Sequence, residues 1–370
     1  MNGLIITQQG LEPIAELEVK ELLPKVKTTK LSASVLVEVK DITQLCKIAY
    51  RAQSITKVLL LVAECKPGEH IKALEASNIK DYISPKTTFS CRAGVHDSYE
   101  STMELSEEIG GQIKVITEAK VNLTDPKVRA YVYATKKTHY IGIDLSGTDL
   151  SKRDYRVFKG MEQLKATTTY AAVRFAGYNK EMKLVDPFCR SATLPIETAL
   201  HATYRSPHFF AKEKLAFHHL PGDWDAFFEI MDDEIDEGPT SIVAVDQQNK
   251  NISAAKKNAK IAAVNKNLTF SKMDLDWLET RFDEKSVDLI VTSPPEKSKT
   301  MREPKVRKLQ EELFYQAAYI LNDNGNVTVI VRDPATIIES AKSKGFKETK
   351  RMPVAQGHEV FFIITFERAS

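Results

Sequence analysis

VDPFCRSATLPIETAL, residues 185–200, opens the series of segments that decides the fold. The others are SIVAVD (241–246), LTFSKMD (268–274) and VDLIVTSPPE (287–296). Each begins as a short apolar run of strand length, and helical stretches such as ATLPIETALHATY, NKNISAAKKNAKIAAV and VRKLQEELFYQAAYIL lie between or after them. NVTVIVRD, ATIIESAKSKG and GHEVFFIITFER continue the alternation to the end of the chain. Repeated strand–helix units imply a mostly parallel sheet with helices on both faces. The last strand follows a short connection, KETKRMPVAQ (347–356), a length that suits an antiparallel neighbour rather than another crossover. Residues 205–238 stand inside this order as an insertion without a clear period.

In an open parallel sheet, ligands bind outside the carboxyl ends of the strands. Here four such ends carry Asp186, Asp246, Asp274 and the run Ser293-Pro294-Pro295-Glu296. One acid at a strand end is an ordinary turn residue; three acids and a double proline at four strand ends mark a site. An acid after the second strand can accept bonds from a ribose diol. G-x-G-x-x-G and the phosphate-loop signature are both missing, which excludes the usual nicotinamide and nucleoside-triphosphate enzymes.

Working towards the N-terminus, residues 1–80 read as a small α+β unit and residues 81–150 as a second one, with a connector over 151–180. The helix SYESTMELSEEIGGQI is expected to start at Ser98 or Ser101 and to stop at Gly110–Gly111. The connector contains a helix, MEQLKATTTYAAVRFAGY.

A chain of 370 residues, 42% hydrophobic and 28% charged, suits two or three globular domains. No apolar run reaches membrane-spanning length, and MNGLIITQQG lacks a signal-peptide pattern. Cys46, Cys65, Cys91 and Cys189 are scattered, so neither a disulfide framework nor a metal site is expected, and a reducing cytoplasm is the expected setting. The adjacent His218 and His219 do not share a helix face and are not expected to bind metal. Net charge is only +2, yet Lys120–Lys165 holds ten Lys or Arg against five Asp or Glu, and a second basic run spans Lys297–Lys308. Such clusters can grip a phosphate backbone.

The arrangement resembles RNA-modifying methyltransferases that join a THUMP domain to a Rossmann-like catalytic domain, above all the tRNA guanine-N2 methyltransferases. FSCRAGVHDSYESTMELSEEIGGQI (89–113) and KVNLTDPKVRAYVYATKKTHYIGIDLSGTDLSKRDYRV (120–157) look like the THUMP core, its end and the connector. VDPFCRSATLPIETAL is similar to the first methyltransferase motif, D-P-x-C-G-S-G-T-[IL]-x-I-E. SIVAVDQQNKNISAAKKNAKIAAV, FSKMD and TSPPEK look like the second, third and fourth. The resemblance implies an N-terminal ferredoxin-like part (1–80), a THUMP domain (81–150), the connector (151–180) and a seven-stranded methyltransferase domain (181–370). It implies S-adenosylmethionine as cofactor, tRNA as partner and a guanine N2 amine as methyl acceptor. Asp186, Pro187, Cys189, Arg190, Ser191, Asp246 and Asp274 are then cofactor residues; Ser293, Pro294, Pro295 and Glu296 are catalytic; Arg153, Arg156 and Lys159 contact RNA. Within these, Asp246 is expected at the ribose, Asp274 at the adenine amine, and Ser293 with the Pro294 carbonyl at the target amine.

Two motifs depart from the pattern. Arg190 and Ala192 replace glycines that allow backbone angles closed to other residues. The Arg190 guanidinium either intrudes on the cofactor or pairs with its carboxylate; intrusion is the expectation. Glu296 stands where the family has an aromatic ring to stack on the base, leaving Phe188, Phe314 and Tyr315 as candidate substitutes. An inactive tRNA-binding protein or partner subunit is the alternative, and Glu296 acting as a base is a third reading.

Overall fold

The computed structural model describes residues 1–158, 164–299 and 301–369. The chain divides into two units. One comprises Met1–Thr7, Ala15–Leu150 and His208–Met231; the other comprises Gln8–Ile14, Ser151–Pro207 and Asp232–Ser370.

The N-terminal unit is built from β1 (Asn2–Thr7), α1 (Glu12–Leu22), β2 (Lys27–Leu31), β3 (Ser34–Glu38), α2 (Ile42–Arg51), β4 (Ile55–Cys65), α3 (His70–Glu75), β5 (Thr88–Val95), α4 (Thr102–Thr117), β6 (Lys120–Val121), β7 (Val128–Ala134) and β8 (His139–Asp144). Among the described residues its strands form one eight-stranded sheet, ordered β2-β3-β1-β4-β8-β7-β5-β6. The central strand β4 shows why. Its side chains alternate between faces, so Val58 and Leu60 join the main core while Leu59 packs with Leu4, Tyr133 and Tyr140 on the other face. Residues 1–80 and 81–150, divided in the sequence reading, thus share a single sheet.

Two sequence expectations are corrected here. Helix α4 is capped by Ser101, whose hydroxyl accepts from Glu104 N at 3.3 Å, and it passes through Gly110 and Gly111 to Thr117. Its left-handed C-cap is Glu118, with φ of 55°. Buried Leu105, Ile109 and Ile113 give a core stripe that outweighs the cost of two helical glycines. The aperiodic insertion also has a definite place. Residues 208–231 carry Phe217, Trp224, Phe228 and Met231 into the N-terminal core, where Phe228 meets Tyr50 edge-on at 5.0 Å. An aromatic cluster of this kind needs no strand or helix period, which is why pattern reading passed over it.

The elements that follow are α5 (Ala166–Phe175), β9 (Leu184–Asp186), α6 (Thr193–Ala202), α7 (Trp224–Asp233), β10 (Ile242–Asp246), α8 (Asn249–Ile261), β11 (Leu268–Lys272), α9 (Leu278–Arg281), β12 (Val287–Thr292), α10 (Glu303–Ile320), β13 (Leu321–Val331), α11 (Ala335–Ser343), β14 (Phe346–Gln356) and β15 (Glu359–Arg368); Trp224–Met231 of α7 belong to the N-terminal unit and the other elements to the C-terminal one. The sheet order is β11-β10-β9-β12-β13-β15-β14. The first five strands are parallel, and β15 pairs antiparallel with both neighbours. Strands β9, β10 and β12 are almost wholly apolar because helices cover both faces: Leu184, Ile242 and Leu289 enter one core, Val185, Val243 and Ile290 the other. KETKRMPVAQ, expected as a connection, is most of β14, the sheet's edge; its charged, largely exposed side chains hide its strand character from a hydrophobic pattern. Gly10, which belongs to this unit, has φ of +96°, and a Cβ there would lie 2.0 Å from the Pro353 carbonyl oxygen. Chain order reverses between β9 and β12, which places a crevice at their carboxyl ends.

Candidate active site

A cleft of about 820 Å³ occupies that position. Pro187, Phe188, Arg190, Asp246, Asp274, Ser293, Pro294, Pro295 and Glu296 all line it. Asp186, Cys189 and Ser191 are buried behind the wall. The Asp186 carboxylate accepts from Phe188 N at 3.1 Å and from Thr292 Oγ1 at 2.6 Å, tying the end of β9 to the end of β12. Ser191 offers its carbonyl to Asn258 Nδ2 at 3.2 Å.

The turn after β9 keeps the shape that glycines would give it. Arg190 has φ of +49° and Ala192 φ of +63°. Non-glycine residues in this region cost roughly 1–3 kcal/mol each. The surroundings hold them there: Cys189 N donates to Val245 O at 2.9 Å, Arg190 N to Asp246 Oδ2 at 3.1 Å, and Ala192 N to Cys189 O at 2.7 Å. Among the described residues no hydrogen bond or ion pair to the Arg190 guanidinium is found, although the side chain lines the cleft. Asp246 also accepts from Gln248 N at 2.8 Å and Asn251 Nδ2 at 3.0 Å, so three donors orient its carboxylate at the rim. Asp274 is exposed at the end of β11 and makes no side-chain cap.

At the other end of the cleft Ser293 Oγ donates to Ile330 O at 3.2 Å. With its hydrogen so directed, the hydroxyl turns lone pairs towards the cleft. Glu296 does not stand as an isolated charge. Its Oε1 accepts from Arg332 N at 2.8 Å and Asp333 N at 3.1 Å, and its Oε2 accepts from Arg332 Nε at 3.3 Å. Arg332 also donates from Nη1 to Glu359 at 3.0 Å, and the pairing with Glu359, then Glu296, pushes the guanidinium further above its ordinary value. Arg332 directly follows β13, at a fifth strand end that the motif pattern does not single out; a cation after an apolar run is the signal for it. Of the candidate stacking rings only Phe188 lines the cleft. Phe314 is sealed in the core against Phe346 and Phe366, and Tyr315 lies exposed on α10 away from the cleft.

The assignment of Arg153 to RNA contact is corrected. Its side chain is wholly buried, and it grips Glu197 through Nε at 2.9 Å and Nη2 at 3.0 Å. Tyr155 donates to the same carboxylate at 2.7 Å, and burial beside it raises the Tyr155 hydroxyl well above its usual range. Glu197 is the acid that closes the first motif, so its task is to anchor the connector to α6. Arg156 is half-buried. Lys159 lies outside the described residues. Lys299, Lys305 and Lys308, from the second basic run, line the cleft. Burial lifts the thiols of Cys65 and Cys91 to about 11 and about 12, so neither is a thiolate nucleophile at neutral pH. Among the described residues no group of three His, Cys, Asp or Glu side chains could hold a metal, and no helix is long and apolar enough to cross a membrane.

Comparison with known proteins agrees with this geometry. Residues 71–144 match the THUMP domain and residues 153–360 the RMKL-like methyltransferase domain. The tRNA (guanine(6)-N2)-methyltransferase of Methanocaldococcus jannaschii is 26% identical over 96% of this chain and 97% of its own length. The protein of the same name from Archaeoglobus fulgidus is 25% identical over 84% of this chain and 77% of its own. The crystal structure of SMU.472 complexed with SAH superposes with a TM-score of 0.81 at 17% identity, covering 100% of this chain and 98% of that one, which establishes the shared fold. The family match spans the strand ends, the turn after β9 and the S-P-P run, and the chain belongs to the RMKL-like methyltransferase domain family.

Proposed function

We propose that the protein is an S-adenosylmethionine-dependent tRNA methyltransferase acting on the N2 amine of a guanine. The observation that carries this is Ser293, beside the Pro294 carbonyl, with its hydrogen committed to Ile330 O and its lone pairs left for an amine's hydrogens. An aryl amine is a weak nucleophile while its lone pair is shared with the ring. Two acceptors on its hydrogens favour a pyramidal nitrogen aimed along the cleft, so that positioning and electrostatics supply the rate.

The residues present fit the cofactor, which when bound supplies an electrophilic methyl group on a sulfonium. Asp246, oriented by three donors, accepts from the ribose hydroxyls. Asp274 accepts from the adenine amine. Arg190, a cation on the cleft wall, answers the amino-acid carboxylate, and SMU.472, of the same fold, holds SAH. Phe188 supplies the ring for the base. Lys299, Lys305 and Lys308 bring positive charge to the mouth, where a phosphate backbone passes. The cysteine pattern suits the cytoplasm.

The test is titration with S-adenosylmethionine followed by transfer of labelled methyl to tRNA carrying guanosine at position 6, the position in the relatives' name. Micromolar binding and methyl appearing as N2-methylguanosine support the reading. No binding at millimolar cofactor, by protein that still binds tRNA, would leave an inactive tRNA-binding protein.

A further inference from the structure

The acceptor end of the cleft carries a charge pair that methyl transfer itself does not use. Glu296 and Arg332 both line the cleft. The Glu296 side chain is 17% exposed and Arg332 38%, so both are partly shielded but reachable. Two backbone N–H groups and the guanidinium satisfy Glu296, which makes an ionised carboxylate tolerable there. An ionised carboxylate is acceptor-only and a guanidinium donor-only.

Their placement is ordered. Ser293 sits against Ile330, and Glu296 against the main chain of Arg332, two residues further along the same strand direction. Both contacts are made to the same strand end, so Ser293 and Glu296 stand in order along one wall of the cleft. From the amine outward, guanine presents N2–H donors, an N1–H donor and an O6 acceptor. The wall presents acceptors at Ser293 and Pro294, an acceptor at Glu296 and a donor at Arg332. Adenine-type edges have the opposite polarity at both outer positions.

We propose that Glu296, held by Arg332, reads the N1–H of the target guanine while Arg332 donates to O6, so that the pair selects guanine over bases with an unprotonated N1. This rests on the reading of the cleft as a guanine-N2 methylation site. Replacing the motif's aromatic residue by glutamate thus supplies a base-reading group, and stacking falls to Phe188.

The experiment compares full-length protein on tRNA carrying guanosine or 2,6-diaminopurine riboside at position 6. Diaminopurine keeps the 2-amine but turns an N1 lone pair and a 6-amine towards the wall. Wild type is expected to favour guanosine by at least about 100-fold in kcat/KM, since a mismatched polar site rejects strongly. Glu296→Gln, whose amide both donates and accepts, is expected to narrow that ratio by about tenfold or more. Wild type using both substrates within about threefold would overturn the inference, as would an unchanged ratio in folded Glu296→Gln. If Glu296→Gln is inactive on both, the wild-type ratio decides. Wild type failing on guanosine itself refutes the underlying methyltransferase reading, and this inference with it; activity on guanosine without discrimination refutes only the inference.

Discussion

Restoring glycine at position 190 separates two roles for the arginine. Arg190 holds φ of +49°, in a region that costs a side chain roughly 1–3 kcal/mol. Glycine removes that strain but loses about 0.5–1 kcal/mol more to unfolded-chain entropy. The backbone bond from residue 190 to Asp246 does not depend on the side chain, and the half-buried guanidinium has no protein partner among the described residues to forfeit. Arg190→Gly is therefore expected to be as stable as wild type or up to about 2 kcal/mol more stable in urea denaturation. Cofactor binding should move the other way. A charge-assisted bond to the cofactor carboxylate contributes about 1.5–3 kcal/mol, which corresponds to a loss of roughly 10- to 100-fold in calorimetric affinity. The control is 5′-methylthioadenosine, which lacks the amino-acid moiety and should bind both proteins equally. Tighter S-adenosylmethionine binding by the variant would show that the guanidinium obstructs the site, as the sequence alone suggests, and would refute the pairing argument. Equal weakening of both ligands would show that the effect runs through the fold of the turn.

Other outcomes follow from the same geometry. Asp246→Asn should lower cofactor affinity at least about tenfold, because its amide turns a donor on one of three existing donors; filter binding should show tRNA affinity unchanged. Arg153→Met removes the guanidinium from a buried carboxylate, so chemical denaturation should show a loss of about 3–5 kcal/mol; a loss under about 1 kcal/mol would mean that Tyr155 and the other groups around Glu197 satisfy the carboxylate. His201 is held neutral mainly by burial and secondarily by the Arg174 charge, with its pKa lowered to about 3 from 6.5. The unfolded chain then takes up a proton that the folded one refuses, so stability falls as pH drops from 6.5 towards 3. At pH 5 the loss is about 2 kcal/mol, and His201→Gln should reduce the difference in urea stability between pH 7 and pH 5 by about that amount.

The fold was legible wherever one physical signal stood alone. Strands β9, β10 and β12 are buried on both faces, so their sequences are apolar runs that nothing else in a chain of this composition explains. β14 was missed because an edge strand keeps only Phe346, Met352 and Val354 well buried, with a run of charged, exposed residues between the first two, a pattern shared with loops. Gly110 and Gly111 misled for the opposite reason: a local preference for a helix end was overruled by the apolar stripe on either side. The 208–231 segment was unreadable because its register is set by aromatic packing against Tyr50 and its neighbours, residues more than 150 positions away in sequence.

At the site, residue identity revealed which groups gather but not which way they face. Asp186, Asp246, Asp274 and Ser293 were singled out by their strand ends, and the sheet brings those ends together. Sequence could not distinguish Arg153, sealed against Glu197, from Arg190, which lines the cleft, because a guanidinium's role is fixed by its surroundings, and the Arg153 partner lies 44 residues along the chain. The same holds for Glu296. As a lone acid beside a base it looked costly, a mark of lost activity. Arg332, 36 residues later, reverses that conclusion: its guanidinium, which also pairs with Glu359, bonds Glu296, and the carboxylate is anchored to two backbone amides on the cleft wall. A glycine-shaped turn that keeps its left-handed angles without its glycines, beside a compensated acid, is not what drift in an unused pocket produces, since strain of a few kcal/mol persists only where the surrounding contacts over-determine it.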